Sequence, residues 1–229
     1  MKKIIIVRSP EQLRNMTEPE IIHEDADILA INKPSGLLTM PGRGELSSAD
    51  SALSILRRTR GPLFVVHRLD KDASGLMLLA RSAQAHRYYS GLFENRDIAK
   101  KYLAAVEGLL TEKNGEIDKP LVQGGSGRVS VAFNGKYSVT RYETLEHYKN
   151  STLLEVSILT GRRHQIRVHL YSIGHPVIGD RVYGDQARQR QWPRLMLHAY
   201  ELKFADRTGK KLSLRSDPPK DFMSVLPFL

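Results

Sequence analysis

The stretch that decides the fold is "VVHRLDKDASGLMLLARS", residues 65–82. Leu63–Val66 and Leu76–Ala80 are short, unbroken apolar runs. They read as strands buried on both faces, because a half-exposed strand would alternate apolar and polar residues. Between them lies a polar knot, His67-Arg68-Leu69-Asp70-Lys71-Asp72-Ala73-Ser74-Gly75. Its Asp, Ser and Gly content suits a tight turn, since Asp readily bonds nearby backbone amides. A carboxylate held between two buried strands also suits a reactive site, and the knot alone leaves both readings open.

Outward from this point, Ile21–Glu24 and Ile28–Lys33 read as a hairpin around Asp25-Ala26-Asp27. Ser48–Arg58 carries apolar residues at helical spacing. Ser82 is a suitable N-cap for a helix reaching Asn95. Tyr102–Val106, Ser138–Glu146, Thr152–Leu159 and Leu195–Phe204 read as further strands, and Gln165–Ile173 as a helix stopped by Gly174. Strands outnumber helices without strict alternation. That pattern predicts an α+β domain on a mixed, mostly antiparallel sheet. Residues 1–18 read as an N-terminal arm, and residues 19–229 as the domain itself. The glycines of 123–127 lack the Gly-Lys-Ser/Thr sequel of a phosphate loop and read as a plain loop.

Cysteine is absent, which excludes disulfides and thiolate chemistry and suits a reducing cytoplasm. No apolar run approaches the roughly 20 residues of a membrane helix. Lys and Arg number 35 against 25 Asp and Glu, a net charge of +10. Such an excess favours a polyanionic partner, nucleic acid before a membrane surface. The basic runs Arg57-Arg58-Thr59-Arg60, Arg162-Arg163 and Arg188-Gln189-Arg190 are the expected carriers.

Several ordered motifs together resemble the RluA-type pseudouridine synthases across about residues 21–215. They are Asn32-Lys33-Pro34-Ser35-Gly36-Leu37, His67-Arg68-Leu69-Asp70 with Ser74-Gly75, and Lys100 with Tyr102. Thr160-Gly161-Arg162, His164-Gln165-Ile166-Arg167 and His169 follow, then Gly174-His175-Pro176, Gly179-Asp180 and Leu197-His198-Ala199. Ala73 stands where the family usually has threonine. The resemblance is to the short members without an S4 RNA-binding domain, because only about 20 residues precede Ile21.

The resemblance implies a single catalytic domain with the pseudouridine synthase fold, a bent sheet with flanking helices. It implies an isomerase that acts on uridines of structured RNA without cofactor or metal, as a cytoplasmic monomer. The expected substrates are a tRNA anticodon stem–loop, a loop of large-subunit rRNA, or both. Asp70 is the expected catalytic carboxylate. It would either attack C1′ of the ribose or remove a proton from C2′. Arg167 is its expected cationic partner, and Tyr102 the residue along the target base. The base must be flipped out of its stack. In extended chain Arg68 and Asp70 point the same way, so Arg68 is placed to fill the gap that the base leaves. His67, Lys33, Arg43, Lys100, Arg162 and His164 are the other expected RNA contacts. Leu197, rather than Leu195, is the expected apolar wall beside Tyr102. The competing reading is a non-catalytic RNA-binding or RNA-chaperone protein of the same fold, which loss of Asp70, Tyr102 or Arg167 would favour. His164 and His169 are five apart, not at the i, i+4 spacing of a helical zinc pair.

Overall fold

A computed structural model of the chain describes residues 18–42, 50–125 and 127–229. Arg43, the first residues of the helix expected from Ser48, and nearly all of the arm lie outside the described residues. In chain order the elements are β1 (Glu20–Glu24), β2 (Ile28–Lys33), α1 (Ala52–Arg60), β3 (Phe64–Val65), β4 (Ser74–Ala80), α2 (Ala83–Asn95), β5 (Ala99–Glu107), β6 (Asn114–Asp118), β7 (Leu121–Gln123) and β8 (Val129–Val131). They continue with β9 (Val139–His147), β10 (Ser151–Ile158), α3 (Gln165–Ser172), α4 (Gln186–Gln189), β11 (Leu197–Ala205), β12 (Lys211–Arg215) and α5 (Lys220–Met223). The fold is α+β, as the pattern predicts. It divides into two compact units: the described residues up to Ile98 with Ala199–Asp217, and Ala99–His198 with Pro218–Leu229.

In the first unit the strand order is β1-β2-β4-β11, with β12 on β11 and β3 on β4. β2 and β4 pair antiparallel from Ile28↔Ala80 to Lys33↔Gly75. Every residue of β4 is buried, which is why its sequence shows no alternation. Leu76, Leu78 and Ala80 share a core with Ile28, Ala30, Leu202 and Phe204 and with Ala85 and Tyr89 of α2. Each large side chain buried there contributes roughly 1.5–3 kcal/mol. The Ser82 hydroxyl accepts from the Ala85 amide at 3.1 Å and starts α2.

Helix α1 starts later than its apolar spacing predicts. Ser51 and Ser54 form a reciprocal capping box, and Ala52, Leu53, Ile55 and Leu56 are buried behind it. Gly75 opens β4 at φ 112°, and a Cβ there would lie 2.2 Å from the Ala199 carbonyl oxygen. Only glycine permits that approach.

In the second unit β5-β10-β9-β6 are neighbours in order, with all printed pairings antiparallel, and β7-β8 is a separate hairpin. Leu121 and Val129 of that hairpin share a small core with Val168 of α3 and Tyr183. Helix α3 ends one residue earlier than expected, and Gly174 follows at φ 87°. Among the described residues no helix is long and apolar enough to cross a membrane.

Candidate active site

In the first unit the knot between β3 and β4 lies against residues 33–39, the last residue of β2 and the segment that follows it. The Thr39 hydroxyl donates to the Leu69 carbonyl at 3.0 Å and accepts from the Leu69 amide at 3.3 Å. The Gly36 amide and the Lys33 ammonium both donate to the Lys71 carbonyl, at 2.9 and 3.0 Å. The Ser35 hydroxyl donates to the Asp72 carbonyl at 2.6 Å. Backbone groups on both sides of Asp70 are therefore held from one segment. Arg68 is exposed, Leu69 buried and Asp70 half-buried.

Two expected RNA contacts in this unit need correction. Lys33 is fully buried, and its ammonium also donates to the Pro34 and Leu37 carbonyls at 3.0 and 2.8 Å. An ammonium has three donors, and here three backbone carbonyls take them, so Lys33 braces the loop instead of meeting phosphate. His67 accepts the Leu78 amide at Nε2, 2.9 Å away, and its ring stacks on Phe93 with centroids 4.2 Å apart. That nitrogen and that face are committed to the fold. The basic run in α1 is also less available than its charge suggests. Arg57 donates to the Leu63 carbonyl, Arg58 pairs with Asp50, and Arg60 pairs with Glu18 and Glu24.

In the second unit Tyr102 is half-buried on β5, opposite Val156 of β10. Lys100 shares its face by the two-residue period. Lys100 is only 7% exposed, so it is no open-surface phosphate contact. Lys101 between them pairs with Glu155 at 2.6 Å. Leu197 is buried at the start of β11. It is anchored beside β5, because the Ala105 amide donates to the carbonyl of Met196 at 3.1 Å.

Arg167 projects from α3 and is itself buried. Its Nε and Nη2 donate to the two carboxylate oxygens of Asp180, at 2.7 and 2.8 Å. Asp180 also accepts the Val182 and Tyr183 amides at 2.9 and 3.2 Å. The Arg167 guanidinium lies 5.3 Å from the Tyr183 ring centroid, and that of Arg128 lies 5.4 Å from it. A two-pronged carboxylate bond and an aromatic face together fix the guanidinium plane. The sequence motifs single out Asp180 only as part of a Gly-Asp pair, with no role attached, and do not include Tyr183. The turn pattern Asp180-Arg181-Val182-Tyr183, with an acid bonding amides two and three residues on, is the signal that carries both.

A second network holds α3 in place. The Thr160 hydroxyl and the Arg162 amide donate to Gln165 Oε1 at 2.7 and 3.0 Å. Gln165 Nε2 donates to the Val139 carbonyl at 2.9 Å and to the Thr140 hydroxyl at 3.1 Å. His169 Nε2 lies 2.9 Å from the Lys119 carbonyl, and Nδ1 lies 2.9 Å from the Thr140 hydroxyl. A carbonyl only accepts, so Nε2 carries the proton and Nδ1 accepts from Thr140. Burial holds the His169 pKa below its usual value. His164 occupies the N-cap position in the left-handed region at φ 54°, with Nδ1 2.8 Å from the Tyr183 hydroxyl. The same hydroxyl accepts the Val129 amide at 3.0 Å. Burial raises the Tyr183 pKa. Arg162 is half-buried and reaches the Tyr137 carbonyl at 3.4 Å. Among the described residues no group of three or more His, Cys, Asp or Glu could hold a metal ion.

Residues 27–172 match the family described as RNA pseudouridylate synthase. The chain is 38% identical over 209 residues to the dual-specificity RNA pseudouridine synthase RluA of Pasteurella multocida, covering 89% of this chain and 95% of that protein. It is 35% identical over 246 residues to the ribosomal large subunit pseudouridine synthase D of Haemophilus influenzae, covering 97% and 75%. The solved structure of human RNA pseudouridylate synthase domain containing 1 superposes with a TM-score of 0.76 at 27% identity, covering 88% of this chain and 84% of that one.

Proposed function

The chain belongs to the RNA pseudouridylate synthase family, and from that premise we propose that Asp70 is the carboxylate that opens the uridine glycosidic bond. The protein is an isomerase acting on uridines in RNA. The reaction breaks the N1–C1′ bond, turns the base and joins C5 to C1′. The C5 proton is lost and N1 gains one, so atoms balance without an oxidant or an energy source.

The observation that carries the assignment is the hold on the backbone around Asp70. Leu69, Lys71 and Asp72 are each bonded to residues 33–39. A carboxylate fixed in this way loses little freedom when the ribose arrives, which is the advantage of preorganised catalytic groups. In one route the Asp70 oxygen bonds to C1′ as N1 leaves, and C5 later displaces it. In the other, Asp70 takes the C2′ proton and returns it after the base has turned. A substrate deuterated at C2′ slows only the second route.

Tyr102 is assigned to the target base, where its ring gives a stacking face and its hydroxyl can serve the C5 proton. Arg167 is assigned to the electrostatics of the site as a guanidinium of fixed plane. Arg68, exposed beside Asp70, is assigned to the space vacated by the flipped base. The proposed substrates are loops of tRNA and large-subunit rRNA. The relatives' names favour the rRNA part, and mapping pseudouridines in RNA from cells with and without the gene tests it. The test of the chemistry is Asp70→Asn, which removes the nucleophile and keeps the shape. Conversion of tritiated uridine in RNA should vanish while RNA binding stays near wild type. Turnover above trace level would sink the assignment.

A further inference from the structure

The hairpin β7–β8 leads into a short turn that carries the most exposed aromatic side chain of the described residues. Phe133 is fully exposed, and Tyr137 is exposed over about half of its surface. The turn is rigidly mounted. The Gly135 amide closes it onto the Ala132 carbonyl at 2.9 Å. The Ala132 amide donates to the Pro120 carbonyl at 3.0 Å, and Leu121 and Lys136 exchange two backbone bonds of 2.8 and 3.0 Å. A Cβ on Gly135 would lie 2.7 Å from the Leu121 backbone, so the turn is pressed against that strand. Phe133 thus stands in water on a fixed support.

A lone exposed apolar residue is ordinary. The charge around this one is not. Residues 119–137 contain Lys119, Arg128 and Lys136 and no Asp or Glu. The Arg163 guanidinium lies 3.5 Å from the position a Cβ on Gly127 would take, at the hairpin loop. Arg162 reaches the carbonyl of Tyr137 itself. Cations interleaved with exposed aromatic faces are what a single-stranded nucleic acid requires, since phosphates meet the cations and bases stack on the rings. An apolar protein partner would want a wider uncharged surface.

We propose that Phe133, with Lys136 and Tyr137 following it in the chain and Arg162 at the Tyr137 carbonyl, is a stacking platform for an unpaired base of the RNA substrate, while Arg163, beside Gly127 at the other end of the hairpin, is placed to meet phosphate further along the strand. It is a contact separate from the uridine being isomerised. The proposal rests on the RNA-modifying reading above and adds a surface that holds the strand.

The experiment is fluorescence anisotropy with a labelled 12-nucleotide oligouridylate and an abasic oligomer of equal phosphate number. Stacking needs the bases, whereas charge needs only the phosphates. Phe133→Ala should weaken oligouridylate binding about 5- to 100-fold and leave abasic binding unchanged. Phe133→Trp should keep the affinity, and oligouridylate should quench its added fluorescence. Wild-type binding of oligouridylate by Phe133→Ala overturns the platform. So does an equal loss on both oligomers, which would mean altered charge or fold. Uridine conversion in total RNA by the wild type, run in parallel, reports on the enzymatic reading alone.

Discussion

The Thr39 hydroxyl bonds both backbone groups of Leu69, giving a proton to its carbonyl and taking one from its amide. One side chain thereby fixes the peptide units on either side of Leu69, directly before Asp70.

Thr39→Val keeps the shape and removes both bonds. Two backbone groups lose their partner, at a cost of about 1–3 kcal/mol in stability. The Asp70 carboxylate also loses its fixed position, so the single-turnover rate at saturating RNA should fall about 10- to 100-fold. RNA affinity should not change, and Thr39→Ser should restore the rate. A Thr39→Val protein with wild-type rate shows that the bond does not position Asp70.

Lys33→Met separates bracing from phosphate binding. Three carbonyls lose their bond to the ammonium, that of Lys71 keeping the Gly36 amide, and the urea midpoint should fall by an amount worth about 1–3 kcal/mol. The salt dependence of RNA binding should stay as it is. A log–log slope smaller by about 0.7–0.9 would restore Lys33 as a phosphate contact.

Asp180→Asn takes from the buried Arg167 the charged carboxylate that accepts two of its guanidinium bonds. Breaking such a pair costs about 3–5 kcal/mol, while removing both charges costs less. Chemical denaturation should therefore find the double variant Asp180→Asn/Arg167→Met more stable than Asp180→Asn alone. Additive losses would mean that the two residues are not coupled.

His169 predicts an acid-sensitive fold. Burial lowers its pKa in the folded state from the model-compound value of 6.5, with the Lys119 carbonyl bond working the other way. As pH falls below 6.5, the unfolded chain binds a proton that the folded chain refuses, so stability is lost as pH drops through the lowered folded value. Above about pH 7 both states are neutral and the contribution is complete. Melting temperatures at about pH 7.5 and 5.5 should differ more in the wild type than in His169→Gln. Equal differences would remove His169 as the cause.

The parts of this fold that the sequence discloses are those with strong local signals. The apolar run of β4 and the Ser82 cap of α2 are such parts. Strand β6 is hidden because Asn-Gly-Glu-Ile-Asp is polar and carries only one apolar residue. Strands β7 and β8 have three residues each, too few for any period to show. The candidate residues stood out as motifs, but their partners did not. Thr39 bonds a residue 30 positions away, and Asp180 one 13 positions away. Such pairings come from chain crossing, not from spacing. Lys33 misled for a related reason: a lysine in a polar stretch is usually exposed, and only the folded loop shows its ammonium enclosed by carbonyls.

Gly75 also sets the mutational freedom of the stretch that carries Asp70. Its backbone lies so close to Ala199 that no other side chain fits, and its φ would strain any of them. Lys71 and Asp72, a few residues earlier, are exposed and contribute only their carbonyls to the hold on the loop. A saturation library across residues 71–75 should accept many side chains at the first two positions and glycine alone at the last. The loop can thus drift in sequence while the position from which it enters the sheet stays fixed.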